Sequence, residues 1–431
     1  MQKSDIAKTA ENSASDLSFE WPQWAWLIAL LPFFQAILTW SLDGKLTDTQ
    51  YAIRHFSIPA VTGEILIVIF ALKSKFSIFS VIKQIPMLAK LAMVIWLAFA
   101  VASFLSTSAH WVSSLYLLLR YILHGLFFAS IIHLVCNSKM FSLKKWLNII
   151  TLGTLFYVIL LTIFALLVHD PASFDWIQRM PSATNIRQIA IIMGICATAP
   201  IALLLYGEKS TDYAAALMLV AIITFIAWSG TRTAILSTAI SVTIAIIFVR
   251  SLPQMRAIAI VIGSFILGCL ISVTLPSPAN SFGLLRLVAR FQERDNFSSG
   301  RVEFWYQTLA EIQKSPWIGY GSGRFRDNMD VLYGNRFNHP HNFILQFAYD
   351  WGIIGLGAAT VLITYMMWVI WRNAATNTLA GFAASAGIFA LLASASIEGA
   401  LFHPLPIIAA LALIAPLFAN INKSAMNSIA R

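Results

Sequence analysis

The stretch Phe343–Trp371, FILQFAYDWGIIGLGAATVLITYMMWVIW, is the longest of several apolar runs in the chain and holds a single charged residue. About 20 apolar residues are enough to cross a bilayer as a helix, so this run predicts a transmembrane span. It follows directly on Asn338-His339-Pro340-His341-Asn342, which closes a long polar segment. Two histidines beside a proline at the mouth of a span indicate a reactive group held at the membrane surface.

The composition of the whole chain extends this prediction. Hydrophobic residues make up 58% of 431 residues, charged residues 11%, and the mean hydropathy is +0.75. No soluble domain of this size hides so much apolar surface. We therefore expect an all-α polytopic membrane protein with about twelve transmembrane helices, residues 1–431 forming a single integral membrane domain. The predicted spans are 23–41, 58–72, 86–105, 112–136, 147–168, 187–206, 213–229, 233–249, 256–275, 343–371, 379–398 and 404–421.

Lysine and arginine are distributed unequally between the segments that join the spans. With both termini in the cytoplasm, fifteen fall in inner segments and five in short outer loops. This bias predicts that the large loop at 276–342 faces outward, which in a Gram-negative cell is the periplasmic side of the inner membrane. Because no ATP is present there, a bond-forming reaction needs a pre-activated substrate. Contacts with anionic membrane lipids explain the net charge of +10, and nucleic-acid binding is not expected.

The residues that usually ligate metals are not grouped in this sequence. Cys136, Cys196 and Cys269 lie in or beside apolar runs. Neither a disulfide framework nor a zinc site is expected from them. The carboxylates of the large loop are scattered, and a pair of histidines lacks a third ligand, so we expect no metal.

The large loop is rich in arginine. Residues 281–295 show an amphipathic pattern with arginines at every fourth position, as in a helix lying at the membrane interface. A second helix is predicted after Ser298-Ser299-Gly300, with Val302, Trp305, Leu309 and Ile312 on its apolar face. In its first turn Arg301 opposes the helix dipole unless an anion binds to both, which makes it a candidate phosphate ligand. The arginines of the loop are Arg286, Arg290, Arg294, Arg301, Arg324, Arg326 and Arg336.

His341 is the strongest candidate for a reacting group. Pro340 suits the first position of a helix, which predicts that His341 lies in the first turn of the helix that follows. The positive end of that helix disfavours a protonated ring, so His341 should stay neutral and able to accept a proton. His339 and Asn342 could orient it or contact a sugar. The alternative is a pair of interfacial histidines that bond only to the backbone.

Other polar groups lie at or within the predicted spans. Arg232 stands in the short turn Ser229–Thr233 and Arg187 at the start of a span, and with Arg301 they make a plausible clamp for a diphosphate. A second set consists of Arg120 and His124, four residues apart on one helix face, and of Glu64 and Glu398. We expect this second set to form structural ion pairs or internal hydrogen bonds. The alternative is a proton pathway, which would indicate a transporter.

Five motifs, taken in order, resemble the O-antigen ligase superfamily. This group includes the lipopolysaccharide O-antigen ligases (the WaaL group), the O-antigen polymerases and the protein O-oligosaccharyltransferases. The resemblance covers about 187–372 by motif and most of the chain by topology. The motifs are Ser-Gly-Thr-Arg (229–232), Ser-Gly-Arg-Val-Glu-Phe-Trp (299–305), Pro-Trp-Ile-Gly-Tyr-Gly (316–321), His-Asn-Phe-Ile-Leu (341–345) and Trp-Gly-Ile-Ile-Gly-Leu (351–356).

The resemblance implies a GT-C-like fold and transfer of a glycan from undecaprenyl diphosphate to an acceptor hydroxyl, at the periplasmic face and without metal or cofactor. By the motif match, His341 corresponds to the catalytic base, and Arg232 and Arg301 to the diphosphate ligands. Arg187 is added to these ligands with less support. No carboxylate pair of the glycosidase kind stands out, so we expect direct displacement with inversion at the anomeric carbon.

Within the superfamily, the single moderate outer loop favours a ligase that joins O-antigen to lipid A-core. An O-antigen polymerase or a protein O-oligosaccharyltransferase comes next. A polytopic transporter or flippase is the alternative from another class, and it predicts functional charges near the bilayer midplane. A transporter should lose function on substitution of Arg120 or Glu398 and tolerate His341→Ala, whereas the enzyme should do the reverse.

Overall fold

The computed structural model describes residues 23–106, 111–170, 173–208, 212–275, 283, 301–329 and 337–429. These residues form helices joined by loops, with no strand among them. The helices are α1 Gln23–Ala29, α2 Leu31–Leu38, α3 Asp48–Phe56, α4 Ile58–Lys73, α5 Ile78–Gln84, α6 Met87–Leu105, α7 Trp111–Asn137, α8 Leu143–Leu167, α9 Ile186–Tyr206, α10 Tyr213–Trp228, α11 Arg232–Val249, α12 Met255–Thr274, α13 Arg301–Lys314, α14 Phe325–Asn328, α15 Phe343–Ala374, α16 Thr378–Ala395 and α17 Pro404–Ile429.

The predicted class, an all-α polytopic membrane protein, is confirmed. All twelve predicted spans fall on helices, and nine of the described helices are long and apolar enough to cross a membrane. The other three differ for local reasons. The run 23–41 is split at Leu30 into α1 and α2. α4 reaches span length only together with α3, from which it is bent by 55°, and α10 has 16 residues.

Helix α9 lies at the centre of the bundle. Nearly all of its residues are buried, and it packs against α8, α10, α11, α12, α16 and α17. A helix that is apolar on every side is expected in such a position, because it has no face turned to water or lipid. By contrast, α6 and α12 leave most of their apolar side chains exposed, as lipid-facing helices do.

Helix α15 is interrupted at Gly352, whose φ of 68° and ψ of 179° are not helical. The Ile353 N–H donates to the Pro316 carbonyl (2.8 Å), while the Tyr349 carbonyl accepts from the Tyr320 N–H (2.8 Å). The segment 316–321 therefore supplies the backbone partners that the interrupted helix lacks. A Cβ on Gly352 would lie 2.1 Å from the Trp317 carbonyl oxygen, so only glycine fits there.

Helix α13 packs against α15 through a face that matches the predicted one only in part. Phe304, Thr308 and Ile312 are buried, whereas Val302 and Leu309 are 45% and 43% exposed. The prediction used apolar periodicity alone; it is right for Ile312 and wrong for Val302 and Leu309, because the face that meets α15 includes a threonine. The predicted helix at 281–295 and the start at Ser298-Ser299-Gly300 lie outside the described residues, as do Arg286, Arg290, Arg294 and Arg336.

Candidate active site

Glu398 is the centre of a cluster of charged side chains at one end of the bundle. It follows α16, and only 7% of the residue is exposed. Its Oε1 accepts a hydrogen bond from Arg301 Nη2 and lies 4.0 Å from Arg187 Nη1. Its Oε2 lies 3.3 Å from His341 Nδ1. One buried carboxylate thus joins three of the predicted site residues.

The electrostatics keep Glu398 ionised. Burial alone would raise the pKa of this carboxyl, but the close contact with His341 and the positive charges of Arg301, His341 and Arg187 outweigh it and lower the pKa to about 2. The carboxylate therefore remains charged at any physiological pH. It is also the anion that Arg301 needs, because this arginine stands as the first residue of α13.

The backbone around His341 is held in an uncommon conformation. His341 has a φ of 55°, in the left-handed region that few residues other than glycine adopt. Trp305 Nε1 donates to the Pro340 carbonyl (2.9 Å), and the His341 N–H donates to His339 Nδ1 (3.2 Å). Such strain persists only where neighbouring contacts enforce it, and it is often found at functional sites.

The predicted helix start at Pro340 is wrong. Asn342 is the cap of α15, and its Oδ1 accepts from the Ile344 and Leu345 N–H groups at 3.0 and 3.3 Å. His341 therefore precedes the helix rather than lying in its first turn. The cap forms because asparagine is strongly preferred at that position and satisfies N–H groups that the helix leaves free. This contact gives Asn342 a structural role beside the predicted sugar contact.

His339 is buried behind His341. Its ring packs against His341 at a centroid distance of 4.4 Å and against Phe402 at 4.8 Å. A Cβ on Gly399 would lie 2.1 Å from the His339 ring, so this glycine makes the close approach possible. Burial lowers the pKa of His339 well below its ordinary value, and the charges of His341 and His403 add to the effect. Of the two predicted roles, orienting His341 is the one that these contacts support.

Arg232 begins α11 and is half-buried. Ser237 of the same helix meets Ser394 Oγ at 2.9 Å, and the Glu398 N–H donates to the Ser394 carbonyl at 2.8 Å. These contacts place the start of α11 at the end of the bundle that carries Glu398. Arg187, the second residue of α9, also lies at that end, where the Asn185 side chain accepts from the Arg187 N–H at 2.9 Å.

The set of Arg120, His124, Glu64 and Glu398 is divided in the structure. His124 Nδ1 lies 2.6 Å from Glu64 Oε1 within the bundle, whereas Arg120 Nη2 donates to the Phe402 carbonyl at 2.7 Å. The expected assignment of Glu398 to this internal set is therefore corrected, since its partners are the site residues. The sequence held one signal for this role of Glu398. It is an acid at the end of an apolar span, and an acid in that position is costly unless it is paired.

Three of the six predicted site residues thus meet at Glu398, His339 accepts from the His341 N–H, and Asn342 caps the helix that follows. Within the described residues, no group of three His, Cys, Asp or Glu side chains could hold a metal ion. The arrangement offers an imidazole beside a buried carboxylate, together with two guanidinium groups that suit phosphate oxygens. Such a site can take up a proton and stabilise a departing anion.

Residues 217–360 match a family model described as Wzy_C, O-Antigen ligase. The matched region runs from α10 to the middle of α15 and contains Arg232, Arg301 and His341, whereas Arg187 and Glu398 lie outside it. The resemblance to the O-antigen ligase and polymerase superfamily is thereby confirmed for this part of the chain, and the family implies glycosyltransferase-like activity. No curated protein matches the chain.

Proposed function

We propose that this protein is a lipopolysaccharide O-antigen ligase, which transfers O-antigen from undecaprenyl diphosphate to a sugar hydroxyl of lipid A-core at the periplasmic face of the inner membrane. The observation that carries the proposal is the meeting of His341, Arg301 and Arg187 at Glu398. Glycosyl transfer from a diphosphate needs a base for the acceptor and positive charge for the leaving group, and this cluster has both.

Glu398 assigns distinct roles to the two nitrogen atoms of His341. If the Nδ1–H faces the carboxylate, 3.3 Å away, Nε2 is the atom that can accept a proton. The acceptor oxygen bonds to the anomeric carbon while the bond from that carbon to the diphosphate oxygen breaks. The hydroxyl proton passes to Nε2, and the diphosphate leaves with the bonding electrons. Attack from the side opposite the leaving group inverts the anomeric configuration.

The arginines stabilise the charge that develops on the leaving group. Arg301 and Arg187 contribute two positive charges and Glu398 one negative charge, so the cluster keeps an excess of positive charge. With Arg232 added at the same end of the bundle, it attracts a diphosphate. Because a diphosphate is a good leaving group, no general acid is required, and none of these steps needs a metal.

The first experiment measures lipopolysaccharide laddering in a Gram-negative host that lacks its own ligase. The wild-type chain should restore the O-antigen bands, and His341→Ala should not. His169→Ala is the matched control, because His169 is an exposed histidine between α8 and α9 at the same end of the bundle. Bands restored equally by His341→Ala would overturn the role given to His341.

A second measurement separates the alternatives. Purified protein in nanodiscs is given labelled undecaprenyl diphosphate-glycan together with lipid A-core, a second donor molecule or an acceptor protein. The acceptor that triggers release of undecaprenyl diphosphate distinguishes ligase, polymerase and protein O-oligosaccharyltransferase. A transporter or flippase releases none with any acceptor, and that result would rule out glycosyl transfer.

A further inference from the structure

A cavity of about 120 Å³ lies beside the Glu398 cluster and is separate from it. It is bounded by residues of α3, the N-terminal parts of α7 and α9, and the start of α17. Neither Glu398, His341, Arg301 nor Arg187 lines it. The partition between the two is made by His403, which lines the cavity, and His339, whose ring is 5.7 Å from that of His403.

The lining of this cavity is basic. It includes Arg54, His55, Arg120 and His403, and no aspartate or glutamate. Burial lowers the pKa of His403 to about 3, with the charges of Arg120, His341 and His55 adding to the effect against that of Glu398. The partition is therefore neutral at physiological pH. The charge in the cavity comes from the two arginines.

Arg120 is 5% exposed. Its Nη2 donates to the Phe402 carbonyl, and its guanidinium lies 5.5 Å from the Tyr116 ring and 5.6 Å from the Phe402 ring. Its Nε is buried with no hydrogen-bond partner within the described residues. A buried guanidinium without a carboxylate is costly, so the cavity favours an anion.

Arg54 approaches the cavity from α3. Its Nη1 donates to the Gln178 carbonyl (2.8 Å), and its buried Nε also has no partner in the described part of the chain. The carboxylate that interacts electrostatically with the Arg54 guanidinium is that of Asp175. Its Oδ1 already accepts hydrogen bonds from the Ile177 and Gln178 N–H groups. Two guanidinium groups with free donors match the oxygens of a phosphate or carboxylate.

We propose that this cavity binds an anionic group, a phosphate or carboxylate, on the acceptor saccharide, with Arg54 and Arg120 as its ligands. This inference rests on the proposed function, in which the donor diphosphate occupies the Glu398 cluster. The His339–His403 partition then keeps two anionic substrates in separate sites. An acceptor held by its anionic group is thereby kept close to His341, whose ring lies 4.4 Å from that of His339.

The test compares two acceptors, lipid A-core carrying its phosphates and the same molecule after enzymatic dephosphorylation. Arg54→Gln should raise the KM for the phosphorylated acceptor about 10- to 100-fold, the loss expected for a charge-assisted hydrogen bond. The donor KM should stay unchanged. Arg372→Gln is the control, because it removes one positive charge near the far end of α15, where Arg372 lies over the Trp368 ring.

For the wild-type enzyme, the KM for the dephosphorylated acceptor should be higher than that for the phosphorylated one by a similar factor. Arg54→Gln should not raise the KM for the dephosphorylated acceptor any further. Acceptor KM values that change with neither dephosphorylation nor Arg54→Gln would overturn the proposal while leaving the proposed function intact. So would inhibition by inorganic phosphate that does not compete with the acceptor, since the cavity would then hold only a free anion.

A readout without catalysis keeps the two proposals distinguishable. Binding of the phosphorylated core oligosaccharide to protein in nanodiscs is measured by calorimetry for wild type, Arg54→Gln and Arg120→Lys. If no glycan is transferred to any acceptor, the proposed function fails. Binding that is unaffected by Arg54→Gln, in a variant that elutes and melts like wild type, overturns the cavity assignment.

Discussion

Among single residues, Glu398 does most to organise the site. It lies 97 residues after Arg301 in the sequence, yet its carboxylate contacts that arginine and His341 together. In the proposed mechanism, the carboxylate fixes the tautomer of His341 and stabilises the positive charge that forms when the ring takes a proton. It also contacts Arg301 and Arg187, the two arginines that meet the leaving group in the proposed mechanism. Substitution of Glu398 or Arg120 therefore no longer separates the enzyme from a transporter, because the enzyme too should be impaired when either residue is replaced, and His341→Ala is the variant that still does.

Glu398→Gln should lower kcat for glycan transfer about 10²- to 10⁴-fold, since the amide keeps the shape but cannot stabilise the imidazolium. A shifted pH profile of kcat would separate this positioning role from a merely structural one. Glu311→Gln is the matched control, because Glu311 pairs with Lys314 near the surface of α13. Full activity of Glu398→Gln, measured by release of undecaprenyl diphosphate, would contradict the assignment.

The low pKa of Glu398, about 2 against an ordinary 4.5, also predicts an acid transition. A carboxyl whose pKa is lower in the folded state stabilises it fully above about pH 4.5, and this contribution disappears as pH falls toward 2. We expect the melting temperature of the purified protein to fall over that window, and by less in Glu398→Gln. His403 titrates in an overlapping window, so the difference between the two proteins is the quantity to measure.

The sequence predicted some site residues and missed another for a physical reason. Arg301 and His341 stand in short local motifs, whose chemistry is visible without the fold. Glu398 stands alone after an apolar run, and only the packing of α16 beside α11 reveals its partners. The same applies to His339, since its burial against Gly399 depends on a contact between distant segments.

Among the elements, the interrupted α15 explains two of the sequence motifs. Segment 316–321 and residues around Gly352 exchange backbone hydrogen bonds, so each motif completes the other. These hydrogen bonds hold the first part of α15, which begins just after His341, against the segment that follows α13. Helix α13 in turn holds the Pro340 carbonyl through Trp305. The position of His341 depends on both attachments.

Gly352→Ala should destabilise the protein by about 2 kcal/mol or more, since the methyl group meets the Trp317 carbonyl and the backbone conformation is unfavourable for alanine. Glycan transfer should fall with it. Gly357→Ala is the control in the same helix, where a Cβ has no neighbour within 4 Å. Thermal melting in detergent compares the two variants. Equal melting temperatures would argue against a stabilising role for the backbone hydrogen bonds between α15 and segment 316–321.

The boundaries of elements were predicted less well than their existence. Long apolar runs identify spans because backbone polar groups cannot remain unpaired in lipid. The start of α15 was misplaced because Pro340 and Asn342 are both good start signals, and the capping contact of Asn342 decided between them. The buried face of α13 could not be read from periodicity, since it is set by the neighbour against which the helix packs.

For the whole molecule, the orientation in the membrane remains a prediction from the distribution of lysine and arginine. It is tested by labelling single cysteines with a membrane-impermeant maleimide after Cys136, Cys196 and Cys269 are replaced. Tyr306→Cys, at a position 66% exposed beside the site, should react in intact spheroplasts. Met140→Cys, 53% exposed between α7 and α8, should react only after lysis. The reverse pattern would place the site in the cytoplasm.

The fold class was predictable from composition alone, whereas the packing order of the helices was not. Hydropathy identifies which segments are apolar, but α9 and α12 are equally apolar and only one is central. What separates them is the set of helices that each one packs against, which a hydropathy profile does not record. The shared end of Arg187, Arg301, His341 and Glu398 follows from that packing.

The order of these four residues along the chain has a consequence during synthesis. Arg187, Arg301 and His341 leave the ribosome before Glu398, so a nascent chain carries the proposed base and cations before the carboxylate that contacts them. A chain interrupted before α16 has inserted would expose arginines to lipid-linked sugars but would not hold His341 ready to activate an acceptor. On the proposed function, full reactivity is therefore expected only once α16 and α17 have entered the membrane.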